Sequence, residues 1–219
     1  MTPAPTSPLP ALSIVRNGPA RRARRARVAL AAAALALSPG LALTADAPPL
    51  QPVPRVDLQR YAGLWYQVAL YPNDFQSHCV SDTTATYTPR PDGTIEVLNQ
   101  CRRSNGEPDR AEGVARHASK APGGVEGSVL EVRFAPAWLA WLPWVWGDYW
   151  VIQLADDYRY AVVSEPSRKY LWVLSRSPAL SPDDDATIRT RLREQGFDLS
   201  RLQVHPQERP LNQRPTASP

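Results

Sequence analysis

The sequence predicts an all-β fold, an eight-stranded antiparallel up-and-down β-barrel with one C-terminal α-helix packed outside it. Three observations carry that expectation. Short segments alternate apolar and polar side chains with period two, turn residues separate them at regular intervals, and no long helical crossover intervenes. Closing such strands on themselves removes the exposed edges that an open sheet would leave.

In chain order, the strands are read over 63–70, 80–88, 94–102, 112–117, 128–134, 148–154, 160–164 and 170–176. Pro91-Asp92-Gly93 joins the second and third as a hairpin. A helix follows over about 181–195. Ser181 caps it, Pro182 takes its first position, and Asp183, Asp184 and Asp185 meet the positive end of its dipole. Ile188 and Leu192 share one face, and Gly196 ends the helix.

The flanks read differently. Residues 1–45 carry six arginines (Arg16, Arg21, Arg22, Arg24, Arg25, Arg27) and no acid, then ten apolar residues from Val28 to Leu37, then small residues up to Ala45. That order is a secretory signal cleaved after Ala45. A membrane-spanning helix needs roughly 20 apolar residues, and Pro39-Gly40 interrupts this run. Arg24-Arg25 admits a twin-arginine reading, but the residues after it fit poorly. Neither cysteine lies near the cleavage site, so the expectation is an exported protein of the periplasm or outer-membrane periphery, without a lipid on an N-terminal cysteine. Residues 46–56, with Pro48, Pro49, Pro52 and Pro54, read as a linker, 57–205 as barrel plus helix, and 206–219 as a disordered Pro-rich tail.

The formal charge of +4 comes from the leader. Without its six arginines, 19 basic side chains face 21 acidic ones. A nucleic-acid binder needs a basic footprint on its folded domain, so nucleic acid is not an expected partner. Three scattered histidines (His78, His117, His205) make no metal site. His117 falls on the inward parity, yet a lone histidine is more often a hydrogen-bonded neighbour than a haem ligand. No Ser-His-Asp signature or glycine-rich phosphate loop occurs, so neither catalysis nor a cofactor is expected.

Two cysteines in an exported chain predict one disulfide, Cys79–Cys101. About the hairpin turn, opposed residues have numbers summing to about 182, pairing Tyr87 with Ile95 and Ala85 with Val97. The cysteines sum to 180 and share a parity, so one β-bulge brings them into reach.

Tyr61-Ala62-Gly63-Leu64-Trp65-Tyr66 resembles the opening Gly-x-Trp motif of the lipocalins, and Tyr170-Leu171-Trp172-Val173-Leu174-Ser175-Arg176 resembles their last-strand motif ending in arginine. Gly147–Ile152 and Tyr160–Val163 fit the strands between. The combination is similar to the bacterial outer-membrane (Blc-type) branch, related to apolipoprotein D, and covers about residues 57–205. Two features depart from it: bacterial relatives are commonly lipoproteins, and the loop between the fifth and sixth strands is longer and richer in tryptophan. The resemblance implies a barrel closed at one end, holding a fatty acid, lysophospholipid or similar apolar ligand. It gives Gly63, Trp65 and Arg176 a structural role, the arginine covering the indole at the closed end.

If Trp65 points inward, period two sends Gln67 and Ala69 inward too. The matching parity selects Thr83, Ala85 and Tyr87, then Ile95, Val97 and Asn99. It continues with Leu130, Val132 and Phe134, then Tyr149 and Val151, and ends with Tyr170 and Trp172. These residues are the expected ligand contacts, an apolar cup with a few polar tips. Two other readings stay open: a barrel filled by its own side chains and acting as an interaction module, and a lipid-modifying enzyme using Cys79 or Cys101 as a thiolate.

The loop 136–146 places Trp138, Trp141, Leu142 and Val145 at helical spacing, with Trp144 and Trp146 beside them. Three roles are consistent with it: a lid on the barrel rim, peripheral contact with a membrane, and a dimer contact, the chain being monomer or weak dimer.

Overall fold

A computed structural model describes residues 48–122, 125–209 and 211; the leader expected at 1–45 lies outside the described residues. The strands are β1 (Gly63–Leu70), β2 (Cys79–Pro89), β3 (Ile95–Arg103), β4 (Pro108–His117), β5 (Val129–Arg133), β6 (Gly147–Leu154), β7 (Tyr160–Ser164), β8 (Leu171–Ser175) and β9 (Gln203–Val204). Each of β2 to β7 pairs antiparallel with the next, and β1 pairs with both β2 and β8. That double pairing shuts the first eight strands into a barrel. Helix α2 (Pro182–Glu194) starts at Ser181, whose hydroxyl accepts from the Asp184 amide, and gives way to Gly196 at φ +80°.

Alternation along the strands separates two apolar clusters. The inner one gathers Trp65, Ile95, Ala115, Leu130, Val151 and Ala161 inside the closed end. The outer one gathers Tyr66, Val68, Tyr71, Ile152, Val162 and Val173 against Ile188, Leu192 and Phe197. Strands under the helix are therefore buried on both faces, which is why β7 reads Tyr-Ala-Val-Val without polar relief.

Three sequence expectations are corrected. The β2–β3 register pairs Tyr87 with Val97 and Ala85 with Asn99, two residues from the predicted pairing, because the turn is centred on Asp92 itself. Two register shifts, between Cys79 and Ser81 and between Ser81 and Thr84, leave Cys79 opposite Arg103, and the disulfide joins it to Cys101 two residues along β3, with Cα atoms 5.5 Å apart. Second, the stretch read as a linker packs on the barrel: Leu50 and Val56 are buried, and the Val53 amide donates to the Val151 carbonyl at 2.8 Å. A short helix, α1 (Leu58–Tyr61), follows it, capped by Asp57.

Third, residues 206–209, at the start of the stretch read as a disordered tail, are bound. Beyond Tyr66–Thr84, β1 and β2 part, and the C-terminal segment fills the seam. β9 pairs with Ala69 and Leu70, the His205 amide donates to the Val68 carbonyl, and Gln207 Nε2 donates to the carbonyls of Gln67 and Thr83 at 2.9 and 2.8 Å. On the other side the Asp82 amide donates to Pro206, while the Asp82 carboxylate accepts from the amides of Glu208 and Arg209 and from Arg102 Nε. Burial acts against that carboxylate, but these donors outweigh it and hold it below the usual range.

Candidate ligand-binding cavity

The floor is built on the opening strand. Trp65 is fully buried and its indole N–H donates to the Tyr61 carbonyl at 2.8 Å. Outside it, the Arg176 guanidinium carbon stands 3.8 Å from the indole centroid. Its nitrogens donate to the carbonyls of Leu64, Arg60, Tyr61 and Ala62, closing the ends of α1 and β1 together. Burial lowers the Arg176 pKa, although a guanidinium stays charged. Gly63, at φ +91°, brings the chain from α1 into β1 directly over Arg176.

Above the floor lies a cavity of about 750 Å³. Its walls take Gln67 from β1; Thr83, Ala85 and Tyr87 from β2; and Val97 and Asn99 from β3. The far side is Val132, Phe134 and Tyr149, with Val163, Tyr170, Trp172 and Leu174. Polar side chains are tied into the wall: Trp172 donates to Gln76 Oε1 at 2.9 Å, and Gln76 Nε2 donates to Gln67 Oε1 at 3.0 Å. Low in the cavity, Tyr149 shares hydroxyl hydrogen bonds with Tyr61 at 2.8 Å and Tyr87 at 2.9 Å.

Four residues read as ligand contacts do not line this space. Ile95, Leu130 and Val151 point inward as expected but lie in the packed layer around Trp65. Ala69 faces the outer cluster, because a bulge between Gln67 and Ala69 switches the parity of β1. His117 is exposed and away from the cavity.

The mouth holds residues that alternation alone did not single out as cavity contacts: Phe75, Gln76, His78, Asp109, Arg110 and Glu165. Phe75, Gln76, His78 and Glu165 sit on loops, where period two fails, and Asp109 and Arg110 lie at the start of β4, ahead of the strand bounds read from sequence. Cys79 and Cys101 also line the mouth, and their bond leaves no free thiol, which removes the cysteine-nucleophile reading. Asp109 pairs with His78 at 2.7 Å and with Arg103, and those bonds lower its pKa. Asp148 shifts the other way, raised by burial and by Glu131 and Glu165.

The tryptophan-rich loop is two 3₁₀ turns, Ala137–Leu139 and Pro143–Val145, rather than one helix. Pro143 lacks the amide a continuing helix would use. The predicted single apolar face is therefore split. Leu142 is buried, Val145 turns to the cavity, and Trp146 lies under Arg116 at 3.8 Å, while Trp138, Trp141 and Trp144 are 73, 77 and 77% exposed.

The Lipocalin-like domain model matches residues 56–207, most of the described chain. The protein belongs to the lipocalin family. This lipocalin is 40% identical over 159 residues to temperature-induced lipocalin-1 of Arabidopsis thaliana, covering 72% of this chain and 83% of that one. It is 33% identical over 176 residues to the outer membrane lipoprotein Blc of Escherichia coli K12, covering 79% and 93%. Among solved structures, insecticyanin of the tobacco hornworm Manduca sexta superposes with a TM-score of 0.55 at 23% identity, covering 73% of this lipocalin and 85% of that chain. The shared fold and the open cavity are consistent with binding of a small hydrophobic molecule.

Proposed function

We propose that this lipocalin carries or stores a fatty acid, lysophospholipid or similar apolar ligand in the cell envelope, without chemical change. The observation that supports it is the cavity, walled by Ala85, Val97, Val132, Val163 and Leu174 and open at the disulfide end. An acyl chain gains roughly 0.8 kcal/mol per buried methylene, so sixteen carbons give about 12 kcal/mol gross. Ordering and association remove several kcal/mol of that. The remainder supports micromolar to nanomolar affinity through Gln67, Thr83, Tyr87, Asn99, Phe134, Tyr149, Tyr170 and Trp172. Mass spectrometry of an organic extract of natively purified protein tests this. A stoichiometric lipid is expected, and its absence together with no uptake of added fatty acid would overturn the reading.

Ligand entry is proposed to occur at a membrane. Trp138, Trp141 and Trp144 project into solvent beside the mouth, and residues 135–147 contain no charged side chain. Indoles favour the bilayer interface, and exposed apolar area of this kind rarely stays idle in water. Co-sedimentation with phospholipid vesicles is expected for the wild type and lost in the Trp138→Ser, Trp141→Ser, Trp144→Ser variant. Equal, negligible sedimentation of both, with lipid uptake intact, would reduce the loop to a lid.

A further inference from the structure

The lower cavity carries more hydrogen-bonding capacity than its walls use. Gln67 is only 4% exposed, and its Nε2, two donors, meets no protein acceptor. The Asn99 Oδ1 acceptor likewise has no protein donor. Both line the cavity: Gln67 stands two residues, about 7 Å along the strand, above Trp65, with its Oε1 accepting from Gln76. Asn99 pairs with Ala85, which itself pairs with Trp65.

The tyrosine cluster adds to the surplus. Three hydroxyls joined by two hydrogen bonds use two of three O–H groups, so one donor is always left over. Tyr87 and Tyr149 bring the cluster to the cavity wall. All three protons stay on near neutrality: burial pushes Tyr87 up to about 12, and Tyr61 and Tyr149 well above their ordinary value. A purely hydrocarbon tail would leave these groups desolvated and unpaired, a cost that an oxygen function on the ligand removes.

We propose that the lower cavity is a subsite for a hydroxyl group on the buried part of the ligand, so that the preferred class is a hydroxylated acyl chain. A hydroxyl both accepts and donates, which matches free donors on Gln67 and the tyrosine cluster and a free acceptor on Asn99. This rests on the carrier reading above and names its ligand class.

The test is displacement of a dansylated undecanoic acid from the intact, disulfide-bonded protein by octadecanoic acid and its 12-hydroxy and 18-hydroxy derivatives. At least one hydroxylated acid is expected to bind tenfold or more tighter than the parent. That preference should fall to within about twofold in Gln67→Met and in Asn99→Leu, each checked for cooperative thermal unfolding. If Gln67→Met fails to fold, Asn99→Leu, at a half-buried position, decides. Equal affinity of all three acids for the wild type, or a preference surviving in the folded variants, would overturn the subsite, the polar groups then holding only water, and leave the carrier reading intact. Binding of none of the acids would overturn both.

Discussion

Replacing Arg176 tests the plug at the closed end. The guanidinium is held by one face against Trp65 and by its two terminal nitrogens against four carbonyls. Lysine keeps the charge but presents it as a point, so it cannot stack on the indole and span Leu64 and Arg60–Ala62 together. The stacked contact is worth up to about 2 kcal/mol when desolvated, and a hydrogen bond from a charged group about 1.5–3 kcal/mol net. Carbonyls at the barrel end regain some water when released, so the four bonds do not add. We expect about 2 kcal/mol lost in Arg176→Lys and about 4 kcal/mol in Arg176→Ala. With an m-value near 2 kcal/mol per molar urea, the unfolding midpoints should fall by about 1 and 2 M. Arg176 does not line the cavity, so fatty-acid affinity of the folded variants should stay within about twofold. A wild-type midpoint for Arg176→Lys would refute the fork, and lost ligand binding in a still-folded variant would refute its purely structural role.

Reduction of Cys79–Cys101, which spans 22 residues, should lower stability by about 3 kcal/mol, read as a shifted urea midpoint with and without reductant. Gly127 sits at φ +70° with the space for a Cβ only 2.3 Å from the Val56 carbonyl oxygen, so Gly127→Ala should cost at least about 2 kcal/mol in a thermal or urea melt. Ala85→Trp and Val97→Trp should displace a fluorescent fatty acid while unfolding stays cooperative; unchanged binding in both would put the ligand elsewhere. His205, buried with Nε2 2.7 Å from the Thr83 hydroxyl, has its pKa lowered by burial, so the unfolded chain binds its proton first. Stability from this group is full above about pH 6.5 and falls as pH drops through the folded value, by at most about 1.4 kcal/mol per unit. His205→Gln should flatten that part of the stability–pH curve measured by urea melts, and an unchanged slope would discard the assignment.

Period two was enough to read the bounds of β1 and β7 from sequence, because one parity or both must be buried there. The disulfide was legible for a weaker reason: parity survives a two-residue register error, so the pairing was right although the register was not. Parity failed where the backbone breaks it, at the β1 bulge that sends Ala69 outward. It also could not tell depth: Ile95, Leu130 and Val151 face inward but pack around Trp65 rather than line open space. Helical spacing misread the tryptophan loop, where Pro143 forces a second turn. Tyr61 carried a usable signal, since Asp57 is a good N-cap four residues ahead of it, yet its bond to Tyr149 joins positions 88 apart and no local pattern encodes that.

The seam between β1 and β2 sets an order of events. Its hydrogen bonds come from residues 203–209, with Gln207 reaching back 140 positions to Gln67. A chain emerging N-terminus first, from a ribosome or through a membrane pore, can form every hairpin from β2 to β8 before those residues arrive. The wall stays ajar until residues 203–209 are delivered, and contacts so distant in sequence form slowly. During that interval the cavity opens through its side as well as its mouth.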